Sequence, residues 1–220
     1  MPLFDDWAAY YDAWFETPIG KLVREYEAAV VLDLLQPGEG EAILDAGCGT
    51  GVFTIDFLRA GAKVTGLDVS GPMLEAARRK LDGLPFTAIT GDMLALPFPD
   101  GGFDRTVSIT ALEFIKDARK AADELFRVTR PGGRVVVATL NSLSPWAARR
   151  QAKQDEHLLL EAHYRSPDDL RALGPRPATV VTAVHFDQDD DPATAREKEA
   201  AGKAAGLATG AFVAIAWNKA

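Results

Sequence analysis

The sequence predicts an α/β fold: a doubly wound, mostly parallel seven-stranded sheet, Rossmann-like in its winding, with an antiparallel final strand and an N-terminal lid helix. Three observations carry this expectation. Short apolar runs alternate with helical patterns through most of the chain. Those runs are continuously apolar rather than alternating, which suits strands buried on both faces. Breakers rich in Gly and Pro separate them, at 36–40, 99–102 and 131–133.

Residues 6–35 read as helical with an aromatic start, Trp7, Tyr10, Tyr11, Trp14 and Phe15. The first strand is expected at 41–45, a helix at 52–59 and the second strand at 63–68. Ser70 then suits an N-cap and Pro72 a first turn, with Met73, Leu74, Ala77 and Leu81 at helical spacing. A weaker third strand falls at 86–90 and a fourth at 103–109. Residues 118–129 place Ala121, Ala122, Leu125 and Val128 on one helical face before a fifth strand at 134–140. Residues 144–173 read as a helical excursion. Two late strands, at 179–186 and 210–217, form an antiparallel edge and flank an acidic loop and an Ala-rich helix. The whole chain is expected to be a single domain over 1–220: a helical lid at 1–35, a ligand-binding core at 41–141, and a substrate-side excursion with the final strands at 142–220.

With 220 residues and 47% hydrophobic side chains the chain can bury one core, but not two ordinary domains with linkers. A net charge of -8 argues against a nucleic-acid partner, which calls for clustered Lys and Arg. The stretch from Ala147 to Lys153 is the one basic candidate, and it reads as a solvated helix face. Cys48 is the single cysteine, which excludes an internal disulfide and a thiolate-rich metal site; three histidines without clustered ligands predict no metal. The first residues lack the basic start and apolar core of a secretion signal, and no apolar stretch approaches the roughly eighteen residues of a membrane span. The expectation is a cytoplasmic protein without a membrane span, monomeric or homodimeric.

The chemistry concentrates in Asp45-Ala46-Gly47-Cys48-Gly49-Thr50-Gly51, directly after the first strand. Glycines at alternate positions let the backbone turn sharply and approach a ligand, and the following helix offers free N–H groups. The loop therefore reads as nucleotide-binding. The dinucleotide pattern G-x-G-x-x-G/A fails in both frames, ending on Val52 or Thr54. Asp45 is also badly placed beside a pyrophosphate, and suits a ligand bearing an ammonium and a sulfonium. Asp68 closes the second strand, where a carboxylate can accept from a ribose diol in charge-assisted bonds worth roughly 1.5–3 kcal/mol each. Asp92 follows the third strand and could accept from an exocyclic amine. One such Asp is readily explained as a helix or turn cap; three, together with the glycine loop, point to a ligand crevice. Cys48 itself reads as a small buried filler.

Four segments, in order, resemble the signatures of the class I S-adenosylmethionine-dependent methyltransferases, and in particular the ubiquinone and menaquinone biosynthesis type. They are Ile43-Leu44-Asp45-Ala46-Gly47-Cys48-Gly49-Thr50-Gly51, the stretch from Val64 to Leu74, the stretch from Gly91 to Asp100, and the stretch from Leu125 to Arg134. The resemblance is close over about residues 5–141 and loose beyond. It implies S-adenosyl-L-methionine as cofactor and a role for each matching position. Asp45, Ala46, Gly47, Gly49 and Gly51 would form the loop along the methionine part, with Asp45 supporting it. Asp68 would meet the ribose hydroxyls and Val69 would pack on the adenine. Asp92 and the Met93 N–H would meet the adenine edge, and Ile109 and Thr110 would close the methionine side.

The expected activity is in-line methyl transfer to a small-molecule acceptor, which needs alignment and water exclusion, and a base only for some nucleophiles. Candidate substrate contacts are Tyr11, Trp14, Glu113, Phe114, Trp146, His157, His163 and Tyr164, and the catalytic candidates among them are Glu113, Tyr11 and His157. Tyr11-Asp12-Ala13-Trp14 resembles a Tyr-Asp motif on the family's lid helix, whereas Glu113-Phe114 departs from the family, which often has His there. Packing, a helix-start carboxylate and a solvated histidine are the competing explanations for Tyr11, Glu113 and His157 respectively. The alternative functions are a non-catalytic cofactor-binding protein, a polyamine synthase and an NAD(P)-dependent oxidoreductase, the last opposed by the glycine spacing.

Overall fold

The computed structural model describes residues 7–152 and 162–220. The N-terminal segment is two helices, α1 (Ala8–Glu16) and α2 (Pro18–Leu35), where one helical stretch was expected. A residue before proline is driven toward extended backbone, and Thr17 takes that conformation. Its hydroxyl then caps α2 by accepting from the Gly20 N–H at 3.0 Å, while Pro18 occupies a first-turn position that needs no donor.

Next come β1 (Ala42–Ala46), α3 (Thr54–Arg59), β2 (Lys63–Asp68), α4 (Gly71–Lys80) and β3 (Phe86–Thr90). They are followed by β4 (Phe103–Ile109), α5 (Ala118–Val128) and β5 (Thr129–Leu140). Short 3-10 turns at Met93–Ala95 and Leu112–Phe114 follow β3 and β4. Helices α6 (Pro145–Ala152) and α7 (Pro167–Arg171) lead to β6 (Thr179–Ala183), α8 (Pro192–Ala204) and β7 (Phe212–Asn218). Ser70 caps α4 as expected, accepting from Met73 N at 3.3 Å.

Several boundaries differ from the sequence expectation, two of them for a plain local reason. Strand β5 begins at Thr129 rather than 134, because Phe103 pairs with Thr129 and a register shift absorbs the Pro-Gly-Gly turn before Arg105 meets Arg134. Strand β6 stops at Ala183 rather than 186, because Val184 turns the chain with φ 65. Helix α3 starts at Thr54 rather than 52.

The strand order is β3-β2-β1-β4-β5-β7-β6. Pairs from β3 through β5 are parallel, and β7 is antiparallel to both β5 and β6. The final strand is therefore inserted one place inside the rim, which β6 occupies. Alternate side chains of each strand point to opposite faces, so continuous apolar strands feed two cores. Ile43, Val64 and Val136 pack with α2 and α3 on one face; Leu44, Leu67 and Val137 pack with α5 on the other. Helix α2, expected within the lid, is a layer of the first core through Leu22, Val23, Val31 and Leu35. The winding reverses between β1 and β4, which opens a crevice at the carboxyl ends of the parallel strands.

Phe212 is fully buried on β7, between β5 and β6. Phe212→Ala is expected to cost about 3–5 kcal/mol in urea unfolding, and a loss below about 1 kcal/mol would show that β7 is not an integral strand.

Candidate active site

The register of β1 against β2 sets the geometry of the loop. Ala46 pairs with Leu67, and immediately beyond it the Gly47 and Cys48 N–H groups both donate to the Leu67 carbonyl, at 2.6 and 3.1 Å. The Gly49 N–H then donates to Asp68 Oδ2 at 2.9 Å, while Asp68 Oδ1 accepts from Ser70 N at 2.9 Å. One carboxylate thus ties the β1 loop to the start of α4. Gly47 has φ 78, and a Cβ there would stand 2.3 Å from Ala111 Cβ, so a side chain is excluded twice. Cys48 is buried, and its Sγ takes the space that a Cβ on Gly66 would need. Burial pushes its thiol well up, as suits a filler.

These elements wall one cavity of about 930 Å3, lined by Asp45, Gly47, Gly49, Asp68, Val69, Asp92, Met93, Ile109 and Thr110 of the expected cofactor residues. Ala46 is enclosed in the sheet, and Gly51 sits against Leu81 and Ala77, so these two shape the loop from behind. Asp45 is buried and accepts from Thr54 Oγ1 at 2.7 Å. Burial, with help from the Asp68 charge, pushes its carboxyl up to about 7. Val69 is 51% exposed, an apolar surface held beside the Asp68 carboxylate. Asp92 Oδ1 accepts from Leu94 N at 2.8 Å and caps the turn at Met93–Ala95. Capping and ligand contact are compatible here, because a carboxylate oxygen accepts more than one bond.

The other end of the cavity is aromatic and acidic. Tyr11, Trp14 and Phe15 of α1 line the cavity together with Phe114, Trp146 of α6 and Tyr164. The Tyr11 hydroxyl stands 3.4 Å from Thr110 Oγ1; burial raises its pKa far above the ordinary phenol range, and the charges of Glu27 and Glu113 add to this. Thr110 holds φ 46, which costs a β-branched residue about 1–3 kcal/mol and turns the chain from β4 into the cavity wall. Glu113 is fully buried, and neither carboxylate oxygen has a hydrogen-bond partner of normal geometry. Burial pushes it up to about 7, against the pull of the Glu113 and Leu140 backbone and of the Arg165 and Arg150 guanidinium groups.

Of the other expected contacts, His163 does not line the cavity, although its N–H donates to the Glu113 carbonyl at 2.7 Å, and His157 lies outside the described residues. The basic stretch is engaged: Arg149 pairs with Asp189 at 2.5 Å and Arg150 donates to Tyr164 Oη at 2.8 Å. Among the described residues no His, Cys, Asp and Glu cluster could hold a metal, and no helix is long and apolar enough to cross a membrane.

The cavity role of Glu27 and the partners of Asp12, a residue of the lid-helix motif, are not foreseen by the sequence. Glu27 of α2 is buried and lines the cavity; burial and the nearby Glu113 push it up to about 8. Its signal was an acid on the apolar stripe, four residues from both Val23 and Val31. Asp12 of α1 accepts from Thr50 Oγ1 at 2.6 Å and from Lys80 Nζ at 2.8 Å, clasping the roof helix to the glycine loop and α4.

Comparison with known proteins shows the family of the chain. A methyltransferase-domain family model matches residues 44–137. A demethylmenaquinone methyltransferase of Streptomyces griseus is 33% identical over 202 residues, covering 91% of this chain and 84% of that one. Another, of Beutenbergia cavernae, is 38% identical over 145 residues, covering 66% of this chain; the match spans only 59% of that relative's length. A Thermotoga maritima methyltransferase structure, described as a possible histamine N-methyltransferase, shares the fold at a TM-score of 0.74 and 24% identity, covering 99% of both chains. The chain belongs to the class I S-adenosylmethionine-dependent methyltransferases. The cofactor of this family is S-adenosylmethionine, and the residues present fit it: bare glycine backbone, a carboxylate at the end of β2 and an exposed apolar Val69 lie in one crevice.

Asp45, Glu27 and Glu113 each hold a proton more tightly folded than unfolded. The stability they lend is fully present near the ordinary carboxyl range and is lost as pH rises through 7–8. Acids held low by partners, such as Glu41, Asp104 and Asp169, act only below that window. The melting temperature of the free protein should therefore fall by roughly 5 °C from about pH 5.5 to about pH 8, and by less in Glu113→Gln. A flat or rising profile would contradict the burial of these acids.

Proposed function

We propose that the protein transfers a methyl group from S-adenosylmethionine to a small-molecule acceptor. The observation that carries this reading is that one cavity is lined both by Asp68 and Val69 and by the aromatic and acidic side chains Tyr11, Trp14, Trp146, Glu27 and Glu113. At about 930 Å3 it lies near the top of the roughly 300–1,000 Å3 typical of small-ligand sites, which gives room for two ligands.

The cofactor, when bound, supplies a methyl group activated on a sulfonium sulfur. The Gly47 and Gly49 backbone would flank its methionine part, with Asp45 bracing the loop through Thr54 and with Ile109 and Thr110 closing that side. Asp68 would accept from the ribose hydroxyls, Val69 would pack on the adenine, and Asp92 and the Met93 N–H would meet its edge. Tyr11, Trp14 and Phe15 would roof the acceptor, exclude water and hold it in line with the methyl. Glu113, unpaired at the acceptor end, would orient the acceptor or take its proton.

Calorimetric titration should show micromolar-range binding of S-adenosylmethionine and none of NADH, with binding weakened about tenfold or more by Asp68→Ala. Incubation with pooled metabolites should add one methyl mass to an acceptor. Tight cofactor binding with no methylated product from any pool would favour the non-catalytic alternative, and NADH binding in preference would overturn the assignment.

A further inference from the structure

Two carboxyl groups from distant parts of the chain, Glu27 of α2 and Glu113 after β4, converge on the acceptor end of the cavity and are 4% and 0% exposed. Neither is neutralised by a dedicated ion-pair partner. Arg24, the cation nearest Glu27 in effect, is bound to Asp56 and to the Val52 carbonyl. Arg165, which acts on Glu113, donates to the Ile115 carbonyl at 2.9 Å. Arg150, the second cation acting on Glu113, donates to Tyr164. Neither oxygen of Glu113 has a hydrogen-bond partner of normal geometry among the described residues.

A buried acid left unpaired is costly, and more so when charged. An apolar or anionic acceptor would seal that cost under the ligand. A ligand with a positive charge and several N–H donors would remove it, because charge-assisted bonds to both carboxylates replace the missing water. The aromatic lining suits the same ligand: Tyr11, Trp14 and Trp146 line the cavity, and aromatic rings attract cations. The Trp146 Nε1 donates to the Phe186 carbonyl at 2.6 Å, which fixes that ring in place.

We propose that the acceptor is an amine, bound as its ammonium ion against Glu113 and Glu27 within the aromatic end of the cavity; one ammonium proton passes to the Glu113 carboxylate, and the nitrogen lone pair so freed takes the methyl as its bond to the sulfonium sulfur breaks. This rests on the methyl-transfer reading above and names its substrate class. Glu113 and Glu27 are the specificity-determining residues, and the amine is recognised by its charge and N–H groups.

The test compares small amines with alcohols of matched shape on the protein saturated with S-adenosylhomocysteine. The probes are 2-phenylethylamine, tryptamine and 1,4-diaminobutane against 2-phenylethanol, tryptophol and 1,4-butanediol, measured by calorimetry. At least one amine should bind about tenfold more tightly than its alcohol, and Glu113→Gln or Glu27→Gln should reduce that preference to about threefold or less. Each Gln variant should keep wild-type affinity for S-adenosylhomocysteine, which shows that it has folded; the two variants are independent should one not fold. The proposal is overturned if no amine outbinds its alcohol, or if the preference survives both substitutions. S-adenosylhomocysteine is titrated first and alone, so failure of the cofactor reading registers there, apart from the amine comparison.

Discussion

The alignment of β1 with β2 is the constraint on which the site depends. Because Ala46 lies beside Leu67, one carbonyl at the end of β2 receives two N–H groups of the β1 loop, and the next residue, Asp68, receives a third. A shift of one residue would turn Asp45 to the wrong face of the sheet relative to Asp68 and break all three bonds. Parallel pairing makes this possible, since it brings the carboxyl ends of β1 through β4 to one edge. The glycines then serve the pairing as much as the ligand: Gly47 clears Ala111, and Gly66 clears Cys48.

A second consequence of that geometry is electrostatic. The crevice gathers Asp45, Asp68, Asp92, Glu27 and Glu113 around a single cavity, and three of the five are buried enough to hold protons near neutrality. Such an arrangement destabilises the free fold and is relieved by ligands bearing positive charge or N–H and O–H donors. The ends of the cavity differ in their surroundings: polar backbone and a sugar-compatible carboxylate at one end, rings and unpaired acids at the other. Helix α1 closes over both, and the Asp12 clasp to Thr50 and Lys80 couples the roof to the loop beneath it.

The parts of this design that are contiguous in the chain were legible in the sequence. The glycine loop, Asp68 and Asp92 each follow an apolar run directly, so strand ends and site residues were read together. The stripe on α5 and the Ser70 cap on α4 were equally local. What depends on tertiary approach was less visible. Glu27 reaches the cavity because α2 packs against the sheet rather than lying over it, and a helical period alone does not say which face turns inward. The Asp12–Thr50–Lys80 clasp joins three separate elements. Thr17-Pro18 did carry a local signal for the helix break. The turn at Val184 did not, since a β-branched residue with positive φ contradicts its own propensity.

The crevice at the carboxyl ends of β1 to β4 is the proposed cofactor site, with Asp68 and Val69 at its nucleoside end. A crystal structure grown with saturating S-adenosylhomocysteine tests it most directly. Density for the nucleoside is expected in that crevice, with the sugar hydroxyls on the Asp68 carboxylate, the adenine against Val69 and the homocysteine tail along Gly47 and Gly49. Density elsewhere on the molecule, or a crevice left empty at saturation, would contradict it.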